Sequence, residues 1–295
     1  MLKTKSMIRK MPVLRLFSLC LFYFVFFSLY AGIPNSNLYP GGIAVIDLPE
    51  TLDPNVPPHV TFHSHQVMVV LDPKNPNVWL AIVGIPLSAR PGKASIFLKS
   101  SESGPVKISF TIKPKQYPIR HLKISEQRKV IPLPEDLQRI DREEKLLEAL
   151  LEGFHYTPIS SLSIRYPVQG VPSSTFGLQR IMNGAVKSRH MGLDLAAPLG
   201  TPIYSATSGK VLLAEDLFYS GNMVMIDHGQ GWITLYCHMD KSFVKAGDWV
   251  TSDTQIGIVG QTGRAMGPHL HFSVSLNNNR IDPELFLALN EDKKY

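Results

Sequence analysis

With 295 residues, 44% of them hydrophobic and 18% charged, the chain has the composition of an ordinary globular protein and the length of about two domains. Its formal net charge of +6 does not mark a nucleic-acid binder. Five basic residues (Lys3, Lys5, Arg9, Lys10, Arg15) fall in the first fifteen positions with no acid among them, and the remainder carries 25 basic against 24 acidic residues. Phosphate binding needs a clustered basic surface, so no nucleic-acid partner is expected.

The basic stretch runs into Leu16–Tyr30, LFSLCLFYFVFFSLY, which has no charge. Cations followed by an apolar run of about 15 residues form the pattern of a secretory signal, and a spanning helix needs about 20. Residues 1–31 are therefore expected to be an export signal or, if uncleaved, a membrane anchor, and membrane contact would pass through them alone. Cleavage after Ala31 would leave Leu29 where small residues are usual. Of the two cysteines, Cys20 lies inside the apolar run. Cys237 is then the only thiol left, and no intramolecular disulfide is expected.

Residues 32–41 read as a turn-rich linker around NSNLYPGG. Residues 42–120 contain short branched-residue runs, among them GIAVIDL, QVMVVL, VWLAIVG and VKISFTI, separated by Asp72-Pro73, Asn75-Pro76 and Pro91-Gly92. That punctuation predicts a small β-sandwich. Residues 121–162 form a connector whose helix is expected over 134–152. Pro134 suits the first helical position, Glu135 and Asp136 suit the first turn, and Leu137, Ile140, Leu147, Leu150 and Leu151 recur at helical spacing before Gly153. Residues 163–290 are again glycine-rich and β-patterned, ending on a short helix after Asp282-Pro283. The expected architecture is mainly β: an N-terminal sandwich, a helical connector and a C-terminal antiparallel β domain.

Three short segments carry the chemistry. In HLHFSVSL (269–276), strand alternation puts His269, His271, Ser273 and Ser275 on one face and Leu270, Phe272, Val274 and Leu276 on the other. Two imidazoles can then project into a polar cleft while the apolar face is buried. In WITLYCHM (232–239), the same rule groups Trp232, Thr234, Tyr236 and His238, with His238 ending the polar face, and sets Cys237 on the opposite face as a small hydrophobe. In HMGLD, His190 and Asp194 lie in a loop entering a strand, because Gly192, Pro198 and Gly200 argue against a helix. Imidazole and carboxylate together suit Zn²⁺, whose catalytic sites keep three protein ligands. Spacing alone does not say which three of these residues bind.

The order His190-x-x-x-Asp194, Tyr236-x-His238, His269-x-His271, with SSTFGLQR, GLDLAAPLGTPI, GNMVMIDHGQG and TGRAMGPHLHFSV around it, resembles the lysostaphin-type (LytM) zinc metalloendopeptidases over roughly residues 163–286. YPGGIAVIDL and AIVGIPLSARPGK resemble the N-terminal β-domain of exported Gram-negative members. The resemblance implies one Zn²⁺ per chain, held by His190, Asp194 and His271, with His238 and His269 beside the attacking water as catalytic groups. It implies the stem peptides of peptidoglycan as substrate, a D-alanyl–diaminopimelate cross-link as the bond, and the periplasm or the periplasmic face of the inner membrane as the location. No regulatory partner is identified by it. His-Glu-x-x-His is absent, so no glutamate base of the thermolysin type is expected. The alternative is a non-enzymatic relative that activates a separate wall amidase; such relatives lack some of the ligands that this chain has. His228 is read as a turn or packing residue, Asn222 as a turn residue that can line the cleft, and His63-Ser-His65 as a surface feature.

Overall fold

The computed structural model describes residues 32–100, 104–123, 127–159, 162–184 and 186–289; the expected export segment, with Cys20, lies outside them. The N-terminal part holds β1 (Ile43–Asp47), β2 (Val60–Phe62), β3 (His65–Gln66), β4 (Met68–Asp72), β5 (Asn75–Gly84), β6 (Gly92–Leu98) and β7 (Val106–Ile112). They form two antiparallel sheets, β1-β5-β4 and β3-β2-β6-β7. Ala44, Val69, Trp79 and Val83 of the first meet Phe62, Ile96, Leu98 and Ile112 of the second, which is the expected sandwich. The other face of the first sheet is buried as well. Ile43, Met68, Leu80 and Ile82 enter a larger core with Trp232, Tyr236, Phe272 and Leu276 from the C-terminal half. Burial on both faces explains why β5 is an unbroken apolar run rather than an alternating one.

Residues 32–41, expected as a linker, are instead built into this fold. Leu38 packs on the sandwich core and Ile33 on the larger one, and the Asn37 and Ile43 backbones bond each other.

After β8 (Ile119–Leu122), a single turn of 3₁₀ helix leads into α1 (Pro134–Glu152). Arg128 donates to both oxygens of Asp136 at 2.8 and 2.7 Å in its first turn. The buried Glu143 carboxylate accepts from Arg139 and from the Phe218 amide, so no charge is left unpaired. Ile140 and Leu151 are buried, and Leu147 and Leu150 pack on the sheet below. Leu137, expected in the same stripe, is 53% exposed; in the first half of α1 the buried positions are Asp136, Ile140 and Glu143.

The C-terminal part follows as β9 (Val171–Ser174), β10 (Gln179–Met182), β11 (Val186–Arg189), β12 (Leu193–Ala196), β13 (Pro202–Tyr204), β14 (Gly209–Leu217), β15 (Gly221–Asp227), β16 (Ile233–Ser242), β17 (Trp249–Val250), β18 (Gln255–Val259), β19 (His269–Leu276), β20 (Asn279–Ile281) and α2 (Glu284–Leu287). The main sheet runs β17-β14-β15-β16-β19-β12-β9. One face carries Tyr236, Leu270, Phe272 and Val274 into the shared core. On the other, α1 covers Leu213, Met225, Leu235 and Cys237, while the β19–β12 half stays open. A small sheet, β11-β10-β8, stands beside this open half.

Two buried amides lock the N-terminal sheet to the C-terminal half. Asn277, in the two-residue β19–β20 turn, has φ 40° and Asn278 has φ 60°, the left-handed pair that such hairpins require. The Asn277 carboxamide accepts from the Gly84 N–H at 2.7 Å and donates to the Gly84 C=O at 3.1 Å. A Cβ on Gly84 would lie 2.9 Å from Leu276, so only glycine allows this approach. Gln230 likewise accepts from the Val69 amide and donates to the Thr157 carbonyl. Asn277→Gly keeps the turn conformation but orphans two buried backbone groups at about 1–3 kcal/mol each. The expected result is a loss of about 2–6 kcal/mol in denaturant unfolding, against no change for Asn278→Gly.

Candidate metal centre

The open half of the sheet gathers the residues singled out by sequence. β12 and β19 are antiparallel neighbours, with Asp194 opposite His271 and Ala196 opposite His269. Alternation then sends Leu193, Leu195, Leu270 and Phe272 into the core and Asp194, His269 and His271 to the open face. His190 precedes β12 and is held by backbone bonds, His190 N–H to Leu178 O and Gly177 N–H to His190 O. Between His190 and the strand, a Cβ on Gly192 would lie 2.5 Å from Phe272 O and Ser273 Oγ and 2.7 Å from His271 Cε1. Glycine at 192 is what lets the loop fold down onto β19.

His238 arrives differently from the expectation. The face of β16 that carries Thr234 and Tyr236 points into the shared core; Tyr236 is fully buried and Thr234 bonds its hydroxyl. Regular alternation would place His238 in the core. Instead φ at His238 is +64°, and the register with β15 jumps from Val224↔Tyr236 to Asn222↔Met239. Two residues of β16, Cys237 and His238, thus oppose the single residue Met223. This bulge re-aims a side chain, as bulges beside active sites do, and turns His238 toward His269, at 4.8 Å between ring centroids, and His271, at 6.0 Å. Met239 then falls into the shared core.

His190 Nε2, His271 Nδ1 and Asp194 Oδ1 form a triangle with sides of 2.8, 2.8 and 2.9 Å. Their neighbours fix the tautomers. His190 Nδ1 faces the Thr175 carbonyl at 2.8 Å, which can only accept, so the proton sits on Nδ1 and the Nε2 lone pair faces inward. Ser273 donates its hydroxyl to Met191 O at 2.9 Å. Its oxygen therefore accepts from His271 Nε2–H at 2.9 Å, leaving the Nδ1 lone pair inward. Arg180 donates to Asp194 Oδ2 at 2.6 Å and to Ser174 Oγ at 3.0 Å, which orients Oδ1. Burial acts to raise the Asp194 carboxyl, but the two imidazoles against it outweigh burial and hold it well below the usual carboxylate range. Burial also pushes His271 down, to about 4, against the pull of Asp194. With neither ring protonated toward Asp194, as those tautomers allow, two lone pairs and a carboxylate oxygen converge and form a cation site. Tetrahedral ligands of a zinc-sized ion lie roughly 3.3 Å apart, so the residues present fit such an ion with little movement. Loss of the Ser273 hydroxyl frees the His271 tautomer; Ser273→Ala is expected to weaken metal binding about 10–100-fold in a chelator competition titration.

His238 and His269 stand beside this set. His238 donates from Nδ1 to the Thr262 carbonyl, and His269 from Nδ1 to the Gly267 carbonyl, each at 2.8 Å. Both therefore present Nε2 lone pairs, and His269 Nε2 lies 3.8 Å from Asp194 Oδ1. Burial, then the charges of His269 and His271, push His238 down to about 3, so it is neutral at physiological pH. The remaining candidates have structural places. His228 is buried and bonded to Ser208 O and Thr234 Oγ1. Asn222 ties its strand to the Met239 and Asp240 carbonyls. Cys237 is a buried free thiol raised to about 12 by burial. His63 is at the β2–β3 turn of the sandwich with φ 53°. Sequence reasoning missed Arg180 and Ser273. Ser273 shares the parity of His269 and His271 and is visible in that pattern; Arg180 closes SSTFGLQR, a stretch that shares in the family resemblance but gives the arginine itself no role.

An open cleft in a twisted β-sheet, with two histidines and an aspartate set for a cation, is the arrangement of a metallopeptidase. Residues 188–283 match peptidase family M23 and residues 37–115 match the peptidase family M23 N-terminal domain. A peptidase M23 crystal structure from Pseudomonas aeruginosa is 37% identical, covers 86% of this chain and 96% of that one, and superposes with a TM-score of 0.71. The chain belongs to peptidase family M23. Among curated proteins it is similar to the Vibrio cholerae peptidoglycan DD-endopeptidases ShyB (39% identity over 122 residues) and ShyA (37% over 121). Each alignment takes in 40% of this chain but only 29% and 28% of those proteins.

Proposed function

We propose that this protein is a zinc-dependent endopeptidase that hydrolyses peptide cross-links of peptidoglycan outside the cytoplasm. The observation that carries this reading is the inward convergence of the His190, His271 and Asp194 lone pairs, with both tautomers set by other partners. The likeness to ShyA and ShyB supports the wall substrate and the D-alanyl–diaminopimelate bond. Bound there, zinc would supply Lewis-acid polarisation of the scissile carbonyl and acidify a water. The chain's own residues do the rest. His238 and His269 each offer an Nε2 lone pair to take the proton of the attacking water and return it to the leaving amine. Once protonated, an imidazole also steadies negative charge on the carbonyl oxygen. Arg180 keeps the second oxygen of Asp194 engaged. The basic, apolar start of the sequence supports export to the periplasm.

Purified protein incubated with diaminopimelate-type peptidoglycan is expected to convert dimeric into monomeric muropeptides, identified by mass. A chelator should stop this, and added zinc should restore it. Unchanged wall material in the presence of zinc, alongside stimulation of an amidase, would replace the enzymatic reading with the activator one.

A further inference from the structure

The cleft has two connected lobes. One, of about 310 Å³, is lined by Asp194, His269, Arg120 and Met266. The other, of about 260 Å³, is lined by His190, His271, Tyr219, Arg264 and Arg280, and His238, Arg180 and Arg264 border both. Five arginines line the two lobes against one acid, Asp194. Three of the five are engaged: Arg180 with Asp194, Arg189 with Leu87 O and Arg120 with Ser173 O. Arg264 lies over the Tyr219 ring at 4.6 Å, a stacking that leaves the edge of a guanidinium free. Arg280, on β20, faces the second lobe beside Cys237, and neither Arg264 nor Arg280 has an acidic partner among the described residues. Burial pulls Arg264 below the usual arginine range and Arg280 to about 10. An uncompensated, desolvated guanidinium weakens a fold. A planar anion that accepts both forks would compensate it, and carboxylate is the natural match.

We propose that Arg264 and Arg280 form a carboxylate pocket beside the metal centre, which selects cross-linked peptides whose residue next to the scissile bond keeps a free carboxylate. This rests on the peptidoglycan reading and sharpens it. A diaminopimelate residue bears such a carboxylate, and conversion to the carboxamide removes the charge while keeping the size. The pocket thus makes the enzyme selective for unamidated wall.

The test uses the full zinc-loaded chain and two disaccharide-tetrapeptide dimers, one with free and one with amidated diaminopimelate carboxyls. The wild type is expected to favour the free acid at least about 10-fold in kcat/KM. Arg280→Met should raise KM for the free acid about 10–100-fold, the range for loss of a hydrogen bond to a charged group. It should leave kcat within a few-fold and zinc content unchanged, and erase the preference; Arg280→Lys should restore part of it. The melting temperature of Arg280→Met should stay level or rise, because an unpaired, partly buried charge is gone. A merely structural arginine would lower the melting temperature and leave the preference intact. Should Arg280→Met fail to fold, Arg264→Gln carries the same comparison. Equal rates on the two dimers for the wild type, or an unchanged preference in the variants, overturns the pocket. If the wild type cuts neither dimer, the peptidoglycan reading falls, and calorimetry decides the pocket separately with the diaminopimelate tripeptide. Binding of the free acid that Arg280→Met weakens upholds it; equal binding of acid and amide overturns it.

Discussion

Replacing His271 with alanine is expected to strip zinc from the protein and stop cross-link hydrolysis together. His271 Nδ1 is one corner of the ligand triangle, 2.8 Å from Asp194 Oδ1 and 2.9 Å from His190 Nε2. Its removal leaves two donors where a catalytic zinc site uses three. The loss forfeits several kcal/mol of charge stabilisation, on the order of 10³-fold in rate or more. Metal content and turnover should fall in parallel on the same sample, while the melting curve of the metal-free protein changes little, because His271 is on the open face. Retained zinc in folded His271→Ala would remove this residue from the ligand set.

His238→Ala and His269→Ala are expected to separate binding from chemistry. Neither nitrogen belongs to the triangle, and each ring is tied back through Nδ1 to a loop carbonyl, Thr262 O or Gly267 O. Zinc should stay at one per chain, with kcat lower by about 10²–10⁴-fold for a lost acid–base group. His238→Ala carries an additional check. Its positive φ is a strained conformation for a residue with a Cβ, held so that the ring reaches the cleft. His238→Gly should therefore be at least as stable as His238→Ala while equally inactive. Full activity in either alanine variant would make that histidine structural.

The sequence shows the part of the site that follows strand alternation. HLHFSVSL reads correctly at its start because Leu270, Phe272, Val274 and Leu276 meet one core while His269 and His271 line the open cleft; Ser273 and Ser275, on the same face, are buried. WITLYCHM misleads at its last histidine because the bulge inserts a residue; a positive φ on histidine leaves no mark in hydropathy. β5 was recognisable as a strand, but its partner was not, since burial on two faces looks the same whichever sheet supplies the second core. Asn277, Gln230 and Arg180 act on backbone or side chains far away in sequence, at Gly84, Val69 and Asp194. Nothing near them in the chain announces those contacts. The helix of the connector is legible from its period, yet the period does not tell that Asp136, Ile140 and Glu143, rather than Leu137, are the buried positions of its first half.

Zinc analysis of the full chain purified without added metal, joined to zinc K-edge absorption, is the most direct test of the central claim. The expected result is one zinc per chain with nitrogen and oxygen donors at about 2.0–2.2 Å, unchanged in His238→Ala and His269→Ala and lost in His271→Ala. A chain that neither carries nor takes up zinc, or a spectrum with a sulfur donor at about 2.3 Å, would contradict it.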